Sequence, residues 1–177
     1  ISDHTGAFYN EKGIDIKAAL EYAAKNDRVL KGFKGGTEIT NEDLLTCKCD
    51  VLVPAALQNV ITEEIAHKIN AKIVVEGANG PTVPEADHVM REKNILVVPD
   101  ILANSGGVTV SYFEWVQNKM GYYWSEKEVN DKHDVNMELA FASVWENADK
   151  YKTSMRIAAY ITALKKIEQA AKLKGFF

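Results

Sequence analysis

The chain has 177 residues, of which 46% are hydrophobic and 26% charged, and its formal net charge is −4. These values are typical of a soluble globular protein with one domain, or one domain and an appendage. No apolar run approaches the roughly 18 to 20 residues that a membrane span requires, so we expect no membrane partner. No Lys/Arg cluster is dense enough to neutralise a row of phosphates, so we expect no nucleic-acid partner either.

The two cysteines, Cys47 and Cys49, have a spacing that fits neither a zinc site nor a disulfide framework, and we interpret them as small packing residues. The chain does not open with the charged and apolar regions of a secretory signal, which favours the cytoplasm. It also lacks an initiator Met, and residues 1–3 resemble the last residues of a strand. We therefore expect the natural protein to extend upstream.

Three short apolar runs, at residues 51–53, 73–75 and 95–98, recur with helix-like stretches between them. Their hydrophobicity is continuous rather than alternating, which predicts parallel strands covered by helices on both faces. The predicted fold class is α/β, with a Rossmann-like doubly wound parallel sheet that is incomplete on its N-terminal side.

Helices are predicted over residues 16–25, from Thr62 to about Asn70, and from Thr82 to Lys93. The last of these begins with an apparent capping box, Thr82-x-x-Glu85.

After Pro99 no further strand run appears, and almost all of the remaining residues are compatible with helix. Two amphipathic helices joined near residues 151–153 are predicted, and residues 125–134 form a solvated face or connection. The apolar stripes of these helices are interpreted as core; they comprise Met137, Phe141, Val144, Trp145, Ala148, Ile157, Ile161, Leu164, Ile167 and Ala171. We predict that residues 1–124 form part of a dinucleotide-binding domain and that residues 125–177 form C-terminal helices packed on it.

The loops that follow the three strands, at residues 54–59, 76–81 and 99–107, combine small residues with amide side chains. Ligands of open parallel sheets bind outside the carboxyl ends of the strands, so these loops predict a binding crevice. The backbone amides at Gly106 and Gly107 would suit an anionic group such as a carboxylate.

Asp3 lies at the predicted end of a strand, where a doubly wound dinucleotide domain places the acid that binds the adenosine ribose. This position favours NAD, although the neighbouring His4 leaves NADP open. The glycine fingerprint that should precede the acid by about 20 residues lies beyond the start of this chain.

Three long motifs resemble the hexameric glutamate dehydrogenase family: CDVLVPAAL at 49–57, EGANGPTVPEAD at 76–87 and PDILANSGGVTVSYFEW at 99–115. The resemblance covers essentially the whole chain, including MRIAAY at 155–160. It implies a domain that binds NAD or NADP, followed by helices that reach toward a substrate domain.

By position, the resemblance implies that Asn79 and Asn104 contact the nicotinamide ribose and carboxamide. It also implies that Ser111 binds the side-chain carboxylate of glutamate with Val108 packing beside the substrate. The adenosine side would be lined by Ala55, Ala56, Leu57 and Gln58.

The implied reaction is oxidative deamination of L-glutamate to 2-oxoglutarate and ammonia by a homo-hexamer. The lysine and aspartate that act on water and protons in this family belong to the N-terminal substrate domain, so this chain has no expected catalytic residue or metal ligand. We expect the 177 residues alone to be inactive.

Two other functions stay open at this point. Branched-chain and aromatic amino-acid dehydrogenases are related, but they lack the EGANGPT stretch and a hydroxyl at the position of Ser111, which favours glutamate here. A nucleotide-binding module without chemistry of its own is the alternative from another class. A purely structural domain would leave the three amide-bearing loops without a purpose.

Overall fold

The computed structural model describes residues 1–175, which form six strands and eight helices. In chain order these are β1 (Ser2–Asp3), β2 (Gly6–Tyr9), α1 (Ile16–Lys25), β3 (Thr37–Ile39), α2 (Asn41–Thr46), β4 (Cys49–Leu52), α3 (Glu63–Lys68), β5 (Ala71–Val75), α4 (Pro84–Glu92), β6 (Leu96–Val98), α5 (Asp100–Ala103), α6 (Ser105–Met120), α7 (Glu126–Tyr151) and α8 (Met155–Leu173).

The three predicted parallel strands are confirmed. Strand β5 lies between β4 and β6 and pairs in parallel with both. Helices α3 and α4 cover one face of this sheet, where Leu52, Val74 and Met90 are buried in a common core. Cys49 packs against the same core, in agreement with its interpretation as a packing residue.

The opposite face of the parallel sheet is only partly covered by the described residues. Leu96 and Val98 of β6 pack against the cluster that α7 and α8 contribute. Val51 and Val53, at the β4 side, are 48% and 55% exposed. The prediction that helices cover both faces is therefore confirmed at β6 and wrong at β4. An apolar run in the sequence indicates an apolar strand surface, but it does not show how far the helices on that face extend.

A second sheet was not predicted. Strands β1, β2 and β3 pair antiparallel in that order, and Phe8 of β2 packs with Leu30 and Phe33 in a separate small core. Within residues 1–175, β1 pairs only with β2, so the expectation that Asp3 ends a strand of the parallel sheet is not confirmed.

The helix starts are partly as predicted. The Thr62 side chain caps α3 by accepting a hydrogen bond from the Ile65 amide. The predicted capping box at Thr82 is wrong, because α4 begins after Val83 without a side-chain cap. Thr82 instead forms a parallel bridge with Ile61, which keeps its backbone extended, and its hydroxyl is buried without a partner among the described residues.

The C-terminal helices α7 and α8 are present. Residues 125–134 form the capped and mostly exposed start of α7, so the predicted solvated face is confirmed and the alternative of a connection is wrong. The last two residues of the predicted segment 125–177 lie outside the described residues. Only part of the predicted apolar stripes is core: Val144 is buried, but Trp145 and Leu164 are 49% and 62% exposed. Within residues 1–175, no helix combines the length and apolar character needed to cross a membrane.

The end of α3 is held by the side chain of Lys93, the residue that caps the end of α4. Lys93 Nζ donates hydrogen bonds to the carbonyls of Ala66 at 3.0 Å, His67 at 2.6 Å and Ile69 at 2.7 Å. A cation at this position satisfies carbonyls that the helix leaves without partners and interacts favourably with the helix dipole.

We predict that Lys93→Met lowers the free energy of unfolding by about 1 to 2 kcal/mol, because the α3 carbonyls lose their charged donor. Lys72→Met is the matched control, since in the described part of the chain Lys72 pairs only with Asp50 and both side chains are about 80% exposed. Its effect should stay within about 0.5 kcal/mol. Urea denaturation measures both, and equal effects would contradict the assigned role of Lys93.

Candidate functional site

The three loops predicted to form a binding crevice are joined by hydrogen bonds at one edge of the parallel sheet. Gly77 N and Ala78 N both donate to Pro54 O, at 3.1 and 2.9 Å, and Asn59 N donates to Gly80 O at 2.8 Å. The prediction that the loops lie together is confirmed. Gly77 permits the close approach, because a Cβ at this position would lie 3.0 Å from the Cβ of Ala55.

The first loop presents small, polar and large apolar side chains to solvent. Four residues in a row that were predicted to line the adenosine side are all exposed: Ala55, Ala56, Leu57 and Gln58. Of these, Leu57 is a large apolar side chain with 67% of its surface exposed.

The amide side chains of the second and third loops meet directly. Asn104 Nδ2 donates to Asn79 Oδ1 at 2.7 Å and to Gly77 O at 3.3 Å. Within residues 1–175, Asn79 Nδ2 and Asn104 Oδ1 form no hydrogen bond. Asn79 Nδ2 is thus available as a donor and Asn104 Oδ1 as an acceptor at the exposed sheet edge. A carboxamide group, which has one acceptor oxygen and a donor NH2, could bond to both.

A charged cluster lies directly beneath these loops. The Glu76 carboxylate is fully buried and accepts a hydrogen bond from Arg156 Nη2 at 2.6 Å. Arg156 also donates to Asp87 and Asp100. Burial by itself would lower the pKa of Arg156, but its hydrogen bonds to Asp87 and Glu76 outweigh burial and raise that pKa above its ordinary value.

Sequence reasoning missed the Arg156 cluster. Two signals could have found it: an acid directly after an apolar strand run, at Glu76, and a lone arginine in an otherwise apolar helical stretch, at Arg156. Charged groups in such positions are buried only when they are paired. Removing one partner of a buried pair costs on the order of 3 to 5 kcal/mol, so this cluster is also important for stability.

Asp3 is partly buried, and both of its carboxylate oxygens accept hydrogen bonds. Oδ1 accepts from Thr5 N and Thr5 Oγ1, and Oδ2 accepts from Leu30 N at 2.6 Å. Partial burial opposes ionisation, but these hydrogen bonds outweigh it and lower the pKa of Asp3. The contacts join the β1 end of the antiparallel sheet to the loop that follows α1.

The predicted substrate residues lie on α6. Val108 and Ser111 are three positions apart, which places them on one face of the helix, and both are exposed. Tyr112 and Trp115 extend this face and stack on each other with centroids 5.8 Å apart. Gly106 and Gly107 belong to the first turn of α6 rather than to the preceding loop.

Within residues 1–175, no group of three or more His, Cys, Asp or Glu side chains is arranged so that it could hold a metal ion.

Residues 1–175 match the family model described as Glutamate/Leucine/Phenylalanine/Valine dehydrogenase. The chain belongs to this family. It is 49% identical over 176 residues to a protein named NAD-specific glutamate dehydrogenase from Clostridioides difficile, covering 99% of this chain and 42% of that protein.

Solved structures agree with this membership of the Glutamate/Leucine/Phenylalanine/Valine dehydrogenase family. The glutamate dehydrogenase of Peptoniphilus asaccharolyticus matches with a TM-score of 0.81 and 45% identity, over 99% of this chain and 40% of that one. The hetero-hexameric glutamate dehydrogenase of Thermus thermophilus, in a leucine-bound form, matches with a TM-score of 0.86 and 28% identity, over 97% of this chain and 40% of that one. The chain spans about two fifths of the length of the curated relatives it matches.

One feature of this family member's α6 is a close contact with α7. A Cβ built at Gly106 would lie 2.5 Å from His133 Nε2, whereas one at Gly107 would meet nothing within 4 Å. Alanine is otherwise better than glycine in a helix, by up to about 1 kcal/mol.

We therefore predict that Gly106→Ala lowers the free energy of unfolding by about 1 kcal/mol, at the low end of overpacking costs, because the partly exposed His133 ring can shift away from the added methyl group. Gly107→Ala, the matched control, should be neutral or stabilising. Urea denaturation of the single variants and of Gly106→Ala combined with His133→Ala tests the contact. If the double variant recovers none of the lost stability, the steric explanation is wrong.

Proposed function

We propose that this chain is the NAD-binding part of a glutamate dehydrogenase, which oxidises L-glutamate to 2-oxoglutarate and ammonia. The supporting observation is that three amide-bearing loops meet at one sheet edge in a chain about half identical to NAD-specific glutamate dehydrogenases. Residues 1–124 form part of the dinucleotide-binding domain in this proposal, and residues 125–177 are the C-terminal helices that pack on it.

The proposed cofactor site uses the loops as follows. Asn79 and Asn104 hold the nicotinamide ribose and carboxamide with the donor and acceptor that their mutual hydrogen bond leaves available. The exposed segment 55–58 lines the adenosine side. When bound, NAD supplies the hydride acceptor for oxidation of the amino acid at its α-carbon.

The proposed cofactor is NAD rather than NADP. The curated relatives are named NAD-specific, which supports NAD and gives no support to the NADP alternative. Asp3 is the proposed ribose-binding acid: its hydrogen bonds favour the carboxylate form, and within residues 1–175 Oδ2 accepts only one of them. A carboxylate there would repel a 2′-phosphate.

The proposed substrate residues are Ser111 and Val108, on the exposed face of α6. A hydroxyl suits a substrate whose side chain ends in a carboxylate, because it can donate a hydrogen bond to that group. We further propose that the whole protein is a hexamer. The Thermus thermophilus relative is described as hetero-hexameric, which supports this proposal.

The first test is a spectrophotometric assay of NAD reduction by the whole protein that the gene encodes. We expect reduction of NAD with L-glutamate and little with L-leucine, L-phenylalanine or L-valine, the other substrates in the family's description. A clear preference for one of these apolar amino acids would replace glutamate as the substrate. Binding of NAD without reaction on any amino acid would instead favour a non-catalytic nucleotide-binding module.

Ser111→Ala tests the substrate assignment in the same assay. Loss of a hydrogen bond to a charged group costs about 1.5 to 3 kcal/mol, so we expect kcat/KM for glutamate to fall about 10- to 100-fold. Ser143→Ala is the matched control, because among residues 1–175 the Ser143 hydroxyl bonds only to the Leu139 carbonyl within α7. Similar kcat/KM values for both variants would remove Ser111 from the substrate site.

A further inference from the structure

Arg156, at the start of α8, connects the C-terminal helices to the second and third loops at the sheet edge. Its side chain is 20% exposed and donates from Nη2 to Glu76 Oε1 at 2.6 Å and from Nη1 to Asp100 Oδ1 at 3.2 Å. Glu76 begins the second loop and Asp100 begins α5. The Arg156 guanidinium therefore binds residues at the start of two segments, one that follows β5 and one that follows β6.

The two acids extend this contact to the residues proposed to bind the nicotinamide. Glu76 Oε2 accepts from Asp100 N at 2.9 Å, and Asp100 Oδ2 accepts from Gly80 N at 2.8 Å. Gly80 has a φ of +55° and follows Asn79 directly. A continuous chain of hydrogen bonds therefore runs from Arg156 through Asp100 to the backbone beside Asn79.

The same chain of hydrogen bonds also fixes the position of Asn104, whose side chain pairs with Asn79. Asp100 is at the start of the short helix α5, and Asn104 follows the end of that helix and donates to Asn79. A shift of Asp100 would therefore displace both asparagines relative to each other. Nothing comparable acts on residues 55–58, which contact neither Arg156 nor Asp100 through hydrogen bonds in residues 1–175.

We infer that Arg156 is a positioning residue for the nicotinamide half of the cofactor site, acting through Asp100 on Gly80 and the Asn79–Asn104 pair. The inference rests on the proposed function, because it needs NAD to bind at this edge. It requires the planar fork of arginine, since a lysine ammonium cannot direct parallel donors to both Glu76 and Asp100.

Asp87 provides an internal control for this inference. It accepts from Arg156 Nε and from Nη2, so it is as closely paired with the guanidinium as Asp100 is. Asp87 lies on α4, however, and forms no hydrogen bond with the loops in the described part of the chain. Asp87→Asn and Asp100→Asn thus remove the same charge from the same cluster, and only the second interrupts the contact with Gly80.

The test measures two dissociation constants on the whole protein. NADH binding is followed by the fluorescence of its reduced nicotinamide, and binding of ADP-ribose, which lacks nicotinamide, is followed by calorimetry. For Asp100→Asn and Arg156→Lys we expect NADH to bind about tenfold more weakly and ADP-ribose to change less than twofold. For Asp87→Asn both constants should change less than twofold. Thermal unfolding of each variant shows whether it is folded at the assay temperature.

The inference is overturned if Asp100→Asn and Arg156→Lys leave NADH binding within twofold of the unmodified protein. It is also overturned if both ligands weaken equally, or if Asp87→Asn weakens NADH as much as Asp100→Asn does, since either result would indicate general packing. Failure of the unmodified protein to bind NADH at all would instead overturn the proposed function. The two failures are therefore distinguishable.

Discussion

The buried Glu76 carboxylate constrains the rest of this structure. A fully buried carboxylate is stable only when it is paired with a cation and accepts further hydrogen bonds. Here Arg156 is the cation, and the backbone amide of Asp100 donates a further hydrogen bond. Helix α8 must therefore dock with its first turn at the carboxyl end of the parallel sheet. The apolar cluster of Leu102, Val144, Met155, Ala158 and Ala159 fills the space between that turn and the sheet. Salt-bridge geometry and apolar packing thus specify the same position for the C-terminal helices.

The parallel sheet could be predicted because its strands are continuous apolar runs, whose period and spacing are local properties of the sequence. The antiparallel sheet could not, since β1 has two residues and β3 has three, too few to show any period. Thr82 illustrates another limit. Its spacing from Glu85 is that of a capping box, but the bridge to Ile61, twenty-one positions earlier, decides its conformation. Local patterns describe what a segment prefers, and tertiary pairing can override that preference.

The candidate site likewise has features that follow from local sequence patterns and features that depend on tertiary contacts. The meeting of the three loops was predictable, because loops that leave parallel strands share one edge of the sheet. The cluster beneath these loops depends on pairs such as Arg156 with Glu76, whose sequence separation of 80 leaves no local pattern. Helical spacing likewise showed that Val144 and Trp145 belong to apolar stripes, yet it did not show which of them another element covers. The proposed roles of Asn79, Asn104 and Ser111 come from the family resemblance, and the structure adds the direct contact between the two asparagines.

The long-range character of the Arg156 contacts has a consequence for biosynthesis. Glu76, Asp87 and Asp100 leave the ribosome well before Arg156, which follows them by 80, 69 and 56 residues. During that interval the nascent chain can form the strands and the local helices, but three neighbouring acids repel one another without their common cation. Closing such long loops is entropically costly and slow compared with forming helices. The sheet edge therefore reaches its final form only after the first turn of α8 has been synthesised, whereas the apolar core of α3 and α4 is complete before that point.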